Sequence, residues 1–344
     1  MSLYDNKIDI IIPVYNTSNE LLTRCLSSIA IQNIVDDVEI TIIDDASVQN
    51  YESIISFYNN IMKINYIRLN QNVGPGLARQ EGINNTNHEF IVFIDSDDTL
   101  YDYKSLYYLR EAAHIEPTSP LINSRFVGFR DKENEKNADE FTYFNLSHLF
   151  GKIYRRSFIE KYNIHFNPTI KTNEDTGFNA MIQLFSGNSE NIKGIDKMTY
   201  VWRDNNQSIT RKNNYIYSST LGDISDIATY VYCVNYSINY AYNISNTEYL
   251  YEIIDICLTV LSMLYWRFLM DEEYHQNNNL KYTNLFFNES CLKIMDYIST
   301  SDVIKYFNQL SKQYYSAGYL DNILITISFT DYMDKVQNYK EEDI

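Results

Sequence analysis

The chain has 344 residues, and its 45 acidic against 28 basic side chains give a formal charge of −17. Phosphate backbones and anionic membrane surfaces are therefore poor general partners, and nucleic acid binding is not expected. The length is sufficient for a full core and predicts two domains.

Targeting and redox signals are weak in this sequence. The four cysteines are scattered and form neither a metal-ligand spacing nor a disulfide framework, which is typical of a reducing cytoplasm. The N-terminus lacks signal-peptide character, and the most apolar helical stretch, 258–270, is too short to cross a membrane. We therefore expect a cytoplasmic protein without a membrane span.

The N-terminal part of the chain alternates between apolar runs and helical patterns. The runs predict strands at residues 8–14, 38–43, 64–69 and 90–94, of which 8–14 and 90–94 are expected to be buried in the sheet. Pro13 is expected to stop the ladder of the first strand. Helices are expected to open at the capping-box spacing 17–20 and to span 51–62 and 74–83. This order predicts an α/β fold with a parallel sheet and right-handed crossovers.

Polar residues follow each predicted strand, so candidate site residues converge on the carboxyl edge of the sheet. The fourth strand leads into Asp95-Ser96-Asp97-Asp98, where three carboxylates lie within four positions. Such acids repel one another unless a cation or hydrogen-bond donors lie between them, and Mg²⁺ and Mn²⁺ prefer oxygen ligands. Alone, the stretch is either a metal site or a solvated acidic turn.

Glycine-rich phosphate loops are missing from the sequence. No Gly-x-Gly-x-x-Gly follows the first strand, and no Gly-Lys-Ser/Thr loop is present. Dinucleotide redox chemistry and P-loop chemistry are therefore poor interpretations. The acids would have to bind phosphates through a metal ion.

Four short motifs, taken in order, resemble those of family 2 glycosyltransferases of the GT-A fold. They are Pro13-Val14-Tyr15-Asn16, Asp44-Asp45-Ala46-Ser47, Asn72-Val73-Gly74-Pro75-Gly76-Leu77-Ala78-Arg79 and Asp95-Ser96-Asp97-Asp98. Each is weak alone, whereas four in the family's order at strand ends form a specific signal. Ala46 departs from the family's pattern, which usually has Gly there. The resemblance implies a Rossmann-like, mostly parallel sheet flanked by helices.

The resemblance implies that Pro13, Tyr15, Asp44 or Asp45, and Arg79 surround the uracil and the first phosphate of a UDP-sugar donor. An Asp there can accept a hydrogen bond from the uracil N3–H, and Arg79 can direct its charge toward a phosphate. Alternatively, the two acids form helix caps or Asx turns, and the arginine is a solvated base on a helix.

The resemblance also implies a divalent metal, Mn²⁺ or Mg²⁺. Asp97 is then the direct ligand, with Asp95 or Asp98 in support. Asp95 is expected near the ribose and the sugar of the donor, and Ser96 is counted with the donor-binding residues.

Less informative segments follow these motifs. An amphipathic helix is expected at 103–114 and a strand at 121–129. Residues 131–140 carry seven charges in ten positions, which predicts a solvated loop or edge.

A second group of motifs resembles those that lie beside the acceptor site in the family. The segment 151–156, Gly-Lys-Ile-Tyr-Arg-Arg, is similar to one that leads into a helix beside the acceptor site, and Glu174-Asp175 matches the family's ED pair. The resemblance implies that Asp175 is the general base and that Glu174 orients the acceptor or Asp175. Because the helix dipole favours a carboxylate in the first turn, we expect Asp175 to stay ionised at neutral pH. Alternatively, both acids only decorate a helix start.

The helix after the ED pair is expected to begin at a cap formed by Thr172 or Asn173. Its buried side is predicted to consist of Phe178, Met181, Ile182 and Phe185. Residues 198–203 and 208–211 resemble the family's loop that covers the donor. Arg203 and Ser208 are expected to face the phosphates, with Arg211 a weaker candidate. A strand followed by a polar loop is the alternative for this segment.

The motifs stop beyond residue 212, which predicts two domains: a transferase domain, 1–212, and a mainly helical domain, 213–344. Helical spacing is present at 215–242, 248–271 and 301–315, and 320–329 fits a helix or a strand. Aromatic side chains such as Trp266, if exposed, could bind glycans or support a homo-oligomer, whereas burial in a helical core is the simpler interpretation.

The resemblance implies an inverting glycosyltransferase that moves a hexosyl or N-acetylhexosaminyl group from a UDP-sugar to the hydroxyl of a glycan, polymer or protein. One alternative is a non-catalytic nucleotide- or glycan-binding module on a GT-A fold. Another is a nucleotidyltransferase, which usually needs a basic glycine-rich loop that this chain lacks. Release of UDP, of pyrophosphate or of neither distinguishes the three.

Overall fold

The computed structural model describes residues 6–132, 135–141, 148–168, 174–187, 189–203, 224–245, 249–270, 273–294 and 328–339. The chain forms two compact units, residues 1–208 and 209–344. The first unit contains a mixed sheet with flanking helices, and the second is helical in its described part.

The sheet of the first unit consists of strands β1 Ile8–Val14, β2 Val38–Asp44, β3 Lys63–Arg68, β4 Phe90–Phe93, β5 Thr99–Leu100, β6 Leu121–Lys132, β7 Glu135–Phe141, β8 Lys152–Arg155 and β9 Lys193–Arg203. Their spatial order is β3-β2-β1-β4-β8-β6-β9-β5, with β7 paired to β6. Strands β3, β2, β1 and β4 are parallel, as predicted from the alternating pattern. Their carboxyl ends therefore share one edge.

Strand β1 continues past Pro13, contrary to the prediction that this residue would stop its ladder. Pro13 and Val14 pair in register with Ile43 and Asp44. The proline lacks an N–H, but the carbonyl of Val14 still accepts a hydrogen bond from the Asp45 N–H at 2.8 Å. The pairing of β1 with β2 therefore extends to the polar residues at the strand ends.

Helices of the first unit are α1 Asn19–Ala30, α2 Glu52–Tyr58, α3 Pro75–Asn84, α4 Ser105–Ile115, α5 Arg156–Lys161 and α6 Glu174–Ser186. Helix α1 begins near the predicted position, but its cap is Ser18, which accepts a hydrogen bond from the Leu21 N–H, and not the predicted capping box of residues 17 and 20. Helix α2 ends at Tyr58, four residues before its predicted end, and tight turns lead from there into β3. The predicted buried side of α6 is confirmed.

The remaining strands make the sheet mixed, which the alternating pattern did not predict. Strand β8 pairs antiparallel with both β4 and β6. The charged segment 131–140 lies largely in an edge hairpin, because β6 extends to Lys132 and β7 pairs with β6 alone. The edge interpretation of this segment is therefore confirmed, since charged residues are common on edge strands.

The second unit contains α7 Ile224–Ser245, α8 Leu250–Met270, α9 Glu273–Glu289 and α10 Phe329–Gln337. Helices α7 and α8 correspond to two predicted helices, and Trp266 is buried, as the simpler interpretation requires. Helix α9 was not predicted because it is rich in Asn. Asn279 on this helix is buried and forms hydrogen bonds at both ends of its amide group. Its N–H donates to the Leu264 carbonyl, and its side-chain oxygen accepts from the Tyr332 hydroxyl.

Several predicted features of the second unit lie outside the described residues, namely helix 301–315 and most of segment 320–329. Within the described part of the chain, no helix is both long and apolar enough to cross a membrane.

Candidate active site

The site lies at the carboxyl edge of β1, β2 and β4. The loop after β1 and the loop after β2 brace each other there. The Asn16 N–H donates to the Ser47 hydroxyl at 2.9 Å, and the Val48 N–H donates to the Asn16 side-chain oxygen at 2.8 Å. Asn16 and Ala46 both have left-handed backbone angles, with φ of 52° and 61°. This conformation explains why glycine suits position 46, since only glycine adopts it without a steric cost.

Asp44, the last residue of β2, is completely buried. Its Oδ1 accepts a hydrogen bond from the Ser47 N–H at 2.8 Å, and its Oδ2 accepts from the Tyr66 hydroxyl at 2.5 Å and from Arg68 at 3.2 Å. The structure therefore differs from the expectation that Asp44 faces a donor. Both oxygens of this carboxylate accept hydrogen bonds within the protein and stabilise the loop after β2.

The second acid, Asp45, also binds the protein itself. Its Oδ1 accepts a hydrogen bond from the Val73 N–H at 2.7 Å, and its Oδ2 accepts from the Gly74 N–H at 2.9 Å. The carboxylate thereby fixes the residues that lead into α3. Pro13 is half-buried beside this loop and Tyr15 is 41% exposed, so Tyr15 is the more accessible of the expected base-binding residues.

The acidic stretch after β4 divides into exposed and buried groups. The Asp95 side chain is 34% exposed, and Asp97 is partly exposed. Ser96 is buried and its hydroxyl is hydrogen-bonded to that of Thr17 at 2.7 Å. Arg24 on α1 donates to the Asp97 carbonyl at 2.7 Å, which fixes the backbone at that acid.

Asp98 is not available as a metal ligand, which corrects one of the two options for support of Asp97. It is 1% exposed, and its carboxylate accepts hydrogen bonds from the Tyr200 hydroxyl and from the Arg203 N–H, both at 2.8 Å. Burial, followed by the charges of Asp97 and Asp95, raises the pKa of Asp98 well above its ordinary value. Asp98 thus anchors the end of β9 to this edge.

Arg79 occupies a different place from the one expected for a phosphate ligand. Its side chain on α3 is buried, and its Nη1 donates to Glu174 Oε1 at 2.7 Å while its Nη2 donates to Asp95 Oδ1 at 2.6 Å. Burial alone would lower the pKa of Arg79, but the two carboxylates outweigh that effect and raise it. The guanidinium therefore bridges the acidic stretch after β4 and the ED pair of α6.

The ED pair lies at the first turn of α6, where both acids were expected. Glu174 is buried, whereas Asp175 is partly exposed and accepts a hydrogen bond from the Thr176 N–H at 2.8 Å. Burial and the charge of Glu174 raise the pKa of Asp175 well above its ordinary value, although Arg79 opposes the shift. Burial and the neighbouring Glu174 thus act against the helix dipole at this position, and the expectation that Asp175 stays ionised at neutral pH remains a prediction.

Lys152 on β8 is a site neighbour that sequence reasoning missed. It is fully buried, its Nζ donates to the His148 carbonyl at 2.6 Å, and burial lowers its pKa to about 7 against an opposing effect of Asp175. The only available signal was its place in the segment 151–156. The two arginines of that segment lie at the opposite end of β8, where Arg155 and Arg156 bind backbone carbonyls.

The covering segment is described only up to Arg203. The Arg203 N–H is bound to Asp98, so its backbone lies at the acidic edge. Ser208 and Arg211 lie outside the described residues, as do the expected helix caps Thr172 and Asn173.

Asp95 and Asp97 fit a divalent cation. Both are partly exposed carboxylates, and within the described part of the chain Asp95 Oδ2 accepts no hydrogen bond, while Oδ1 is bound to Arg79. Oxygen ligands of this kind suit Mg²⁺ and Mn²⁺. The residues that would hold the metal are therefore Asp97 and Asp95.

A second acidic group, formed by Asp9, Glu39 and His88, has ligand atoms within 4.8 Å of one another. These residues lie at the amino ends of β1, β2 and β4, on the opposite edge of the sheet. Asp9 is bound by Arg156, and Glu39 is bound by two lysines. Because protein cations already neutralise these carboxylates, this group is an ion-pair network and does not suit a metal.

Solved structures of TarS from Staphylococcus aureus share this fold. The structure of TarS 1–349 in complex with UDP-GlcNAc has a TM-score of 0.60 and 19% sequence identity, and the match covers 83% of this chain and 81% of that chain. Another TarS structure has a TM-score of 0.61 and 18% identity, with 82% of this chain and 49% of that chain covered. The chain has the GT-A fold with a C-terminal helical region.

Curated proteins also match. Glycosyltransferase GlyA of Streptococcus pneumoniae is 26% identical over 235 residues, which are 61% of this chain and 32% of that protein. TarS of Staphylococcus aureus, a poly(ribitol-phosphate) beta-N-acetylglucosaminyltransferase, is 26% identical over 223 residues, which are 61% of this chain and 38% of that protein. The match thus spans about a third of the length of these relatives.

The family model described as Glycosyl transferase family 2 matches residues 9–184, just over half of the chain. This range contains β1 from its second residue onward, β2 to β4, the acidic stretch after β4 and the ED pair. The chain belongs to glycosyl transferase family 2.

Proposed function

We propose that the chain is an inverting glycosyltransferase that moves a sugar from a UDP-sugar to the hydroxyl group of a glycan, polymer or protein. One observation carries this proposal: the partly exposed acids Asp95 and Asp97 lie at the same edge as the ED pair, and Arg79 joins the two groups. A metal-compatible carboxylate pair beside a candidate base is the arrangement that such a reaction requires.

A UDP-sugar is the proposed donor because TarS has been solved with UDP-GlcNAc and with UDP. Hexosyl and N-acetylhexosaminyl groups are the candidates, since relatives of this chain include an N-acetylglucosaminyltransferase and a poly(ribitol-phosphate) beta-glucosyltransferase. Tyr15 and Pro13 would contact the uracil, with Asp45 behind them. Ser96, Arg203 and Ser208 remain proposed donor contacts.

The proposed metal is Mn²⁺ or Mg²⁺, which would be held by Asp97 with Asp95. When bound, it would neutralise the charge that develops on the departing diphosphate. Asp45 fixes the loop that leads into α3, Arg24 fixes the backbone of Asp97, and Asp98 fixes β9. Hydrogen bonds within the protein therefore hold the backbone around the proposed donor site in place.

Asp175 is the proposed general base, which accepts the proton of the acceptor hydroxyl as its oxygen attacks the anomeric carbon. A carboxylate with a raised pKa is a stronger base than an ordinary aspartate, which favours this role. Since only the deprotonated form accepts a proton, transfer should be lost as the pH falls through the raised pKa of Asp175. The acid limb of the pH profile should therefore lie above the ordinary range of aspartate.

The test is UDP release from UDP-GlcNAc, UDP-glucose and UDP-galactose, measured with and without Mn²⁺. Asp175→Asn should lower turnover by about 10²–10⁴-fold while UDP binding measured by calorimetry is retained. Asp36→Asn is the matched control, because Asp36 is exposed and lies before β2 at the opposite edge of the sheet. Normal turnover in Asp175→Asn would show that Asp175 is not the general base. If the wild-type chain binds UDP but releases none from any UDP-sugar, the chain is a binding module and not a transferase.

A further inference from the structure

The bridge formed by Arg79 joins two acids that are far apart in sequence. Its Nη2 lies 2.6 Å from Asp95 Oδ1, and its Nη1 lies 2.7 Å from Glu174 Oε1. The Arg79 and Glu174 side chains are 8% and 10% exposed, whereas Asp95 is 34% exposed. The Arg79 guanidinium therefore forms one ion pair with the buried Glu174 and one with the accessible Asp95.

Glu174 depends on this arginine for its charge balance. Among the described residues, Arg79 is the only ion-pair partner of Glu174. A buried carboxylate without a cation is strongly disfavoured, so the position of Glu174 is set by the guanidinium. The planar fork of an arginine can hold two carboxylates at fixed angles, which a lysine cannot do.

Helix α3 also holds Glu174 by direct packing. A Cβ atom added at Gly76 would lie 2.9 Å from Glu174 Cγ and 3.0 Å from Glu174 Cβ, closer than carbon atoms pack. Gly76 lies three residues before Arg79, and residues with this spacing share one face of a helix. The same face of α3 therefore positions Glu174 through its backbone and through its charge.

We propose that Arg79 and Gly76 form a positioning device, here named the α3 clamp, that holds Glu174, and through it the neighbouring Asp175, in a fixed place relative to Asp95. This inference rests on the proposed function and goes beyond it. Arg79 acts through Glu174 and does not act as a phosphate ligand. Glu174 is then a positioning residue for the base and leaves the acceptor to other groups.

The test is a double-mutant cycle between Arg79→Met and Glu174→Gln, with kcat and KM for UDP release and the Kd of UDP in Mn²⁺ measured for each variant. Each single variant should lower kcat about 100-fold, since small misplacement of a catalytic group has effects of this size. The double variant should be no slower than the slower single variant, because both changes break one device. The Kd of UDP should change by less than about threefold.

The pH profile supplies a readout that a purely structural role would not move. Arg79 opposes the raised pKa of Asp175, and Glu174 contributes to it. Arg79→Met should therefore shift the acid limb of kcat to higher pH, and Glu174→Gln should shift it to lower pH. Equal limbs in both variants and the wild type would count against the clamp.

Gly76→Ala tests the same device without a change of charge and covers the case in which Arg79→Met does not fold. The added methyl group should displace Glu174 and lower kcat about tenfold with the Kd of UDP retained. Asn84→Ala, at the exposed end of α3, is the matched control and should leave kcat unchanged. Arg79→Lys should restore part of the kcat lost in Arg79→Met, because it returns the charge without the fork.

The possible failures are distinct. A wild-type chain that releases no UDP from any UDP-sugar would overturn the proposed function. An active wild type in which the two single effects multiply, or in which Arg79→Met weakens UDP binding more than tenfold while Glu174→Gln does not, would overturn the clamp alone and return Arg79 to a phosphate-binding role.

Discussion

The amino edge and the carboxyl edge of the parallel strands each carry a cluster of acids. The two clusters differ in how many of their acids are bound by basic side chains of the protein. At the amino edge, Asp9 and Glu39 are bound by Arg156, Lys7 and Lys63. At the carboxyl edge, Arg79 joins the acidic stretch after β4 to the ED pair, and Arg68 is bound to Asp44. Acid spacing alone therefore does not identify a metal site, because acids that are already neutralised by protein cations form a structural network.

The largest expected difference between the edges is in stability. Asp9→Asn should lower the free energy of unfolding by about 3 kcal/mol, because it leaves the buried Arg156 without its carboxylate. Urea denaturation measures this change, and calorimetry should show that the Kd of UDP is unchanged. A matching loss of UDP affinity would contradict the assignment of this edge to structure.

The metal dependence should separate the edges in the opposite direction. Asp97→Ala should weaken UDP binding in Mn²⁺ at least about tenfold and leave the weaker binding without metal nearly unchanged, because it removes the proposed direct ligand. Glu39→Gln is the matched control and should retain the metal effect. If Glu39→Gln loses the metal effect and Asp97→Ala keeps it, the cation belongs at the amino edge.

Backbone strain should also distinguish the carboxyl edge. Ala46→Gly should raise the free energy of unfolding by about 0.5–1 kcal/mol, because Ala46 has a φ of 61° and glycine adopts this angle without a steric cost. Ala112→Gly in the interior of α4 should instead lower it by about 1 kcal/mol. Both changes are measurable by thermal or urea unfolding, and a loss in both variants would show that Ala46 is not strained.

The smallest expected effect is a pH dependence of stability at the amino edge. Burial alone would raise the pKa of Glu39, but hydrogen bonds from Lys63, Lys7 and His88 outweigh it and lower the pKa from 4.5 to about 2. Glu39 therefore contributes stability above its unfolded-state pKa, and this contribution is lost as the pH falls from about 4.5 toward 2.

Glu39→Gln should accordingly lose less stability than the wild type when the pH is lowered from 5 to 3. The comparison of urea unfolding at these two pH values isolates the contribution of Glu39, because every other acid is common to both proteins. Equal losses would show that the lysine pairs are too exposed to contribute.

The sequence was sufficient for the strand ends and the motif positions, because local periodicity determines where each apolar run meets polar residues. It could not predict that Asp44 and Asp98 are buried while Asp95 is accessible, since all three are acids at or just beyond the end of a strand. That difference arises from Tyr66 and Tyr200, which reach the two buried acids from other strands.

The place of Arg79 was equally hidden from sequence reasoning. A basic residue in the first turns of α3 fits a phosphate ligand as well as a bridge, and the choice depends on Glu174, which lies 95 positions away in the chain. The mixed half of the sheet was missed for a similar reason, because β8 and β9 pair with strands distant in sequence.

Asp45 connects the loop after β2 to the start of α3. Its carboxylate accepts hydrogen bonds from the Val73 and Gly74 N–H groups, which directly precede α3, the helix that carries Arg79. In the proposed donor complex, a uracil N3–H bound to Asp45 would share these two oxygens with the amides before α3. The proposed nucleobase site would then be connected to Glu174 and Asp175 through Asp45, α3 and Arg79.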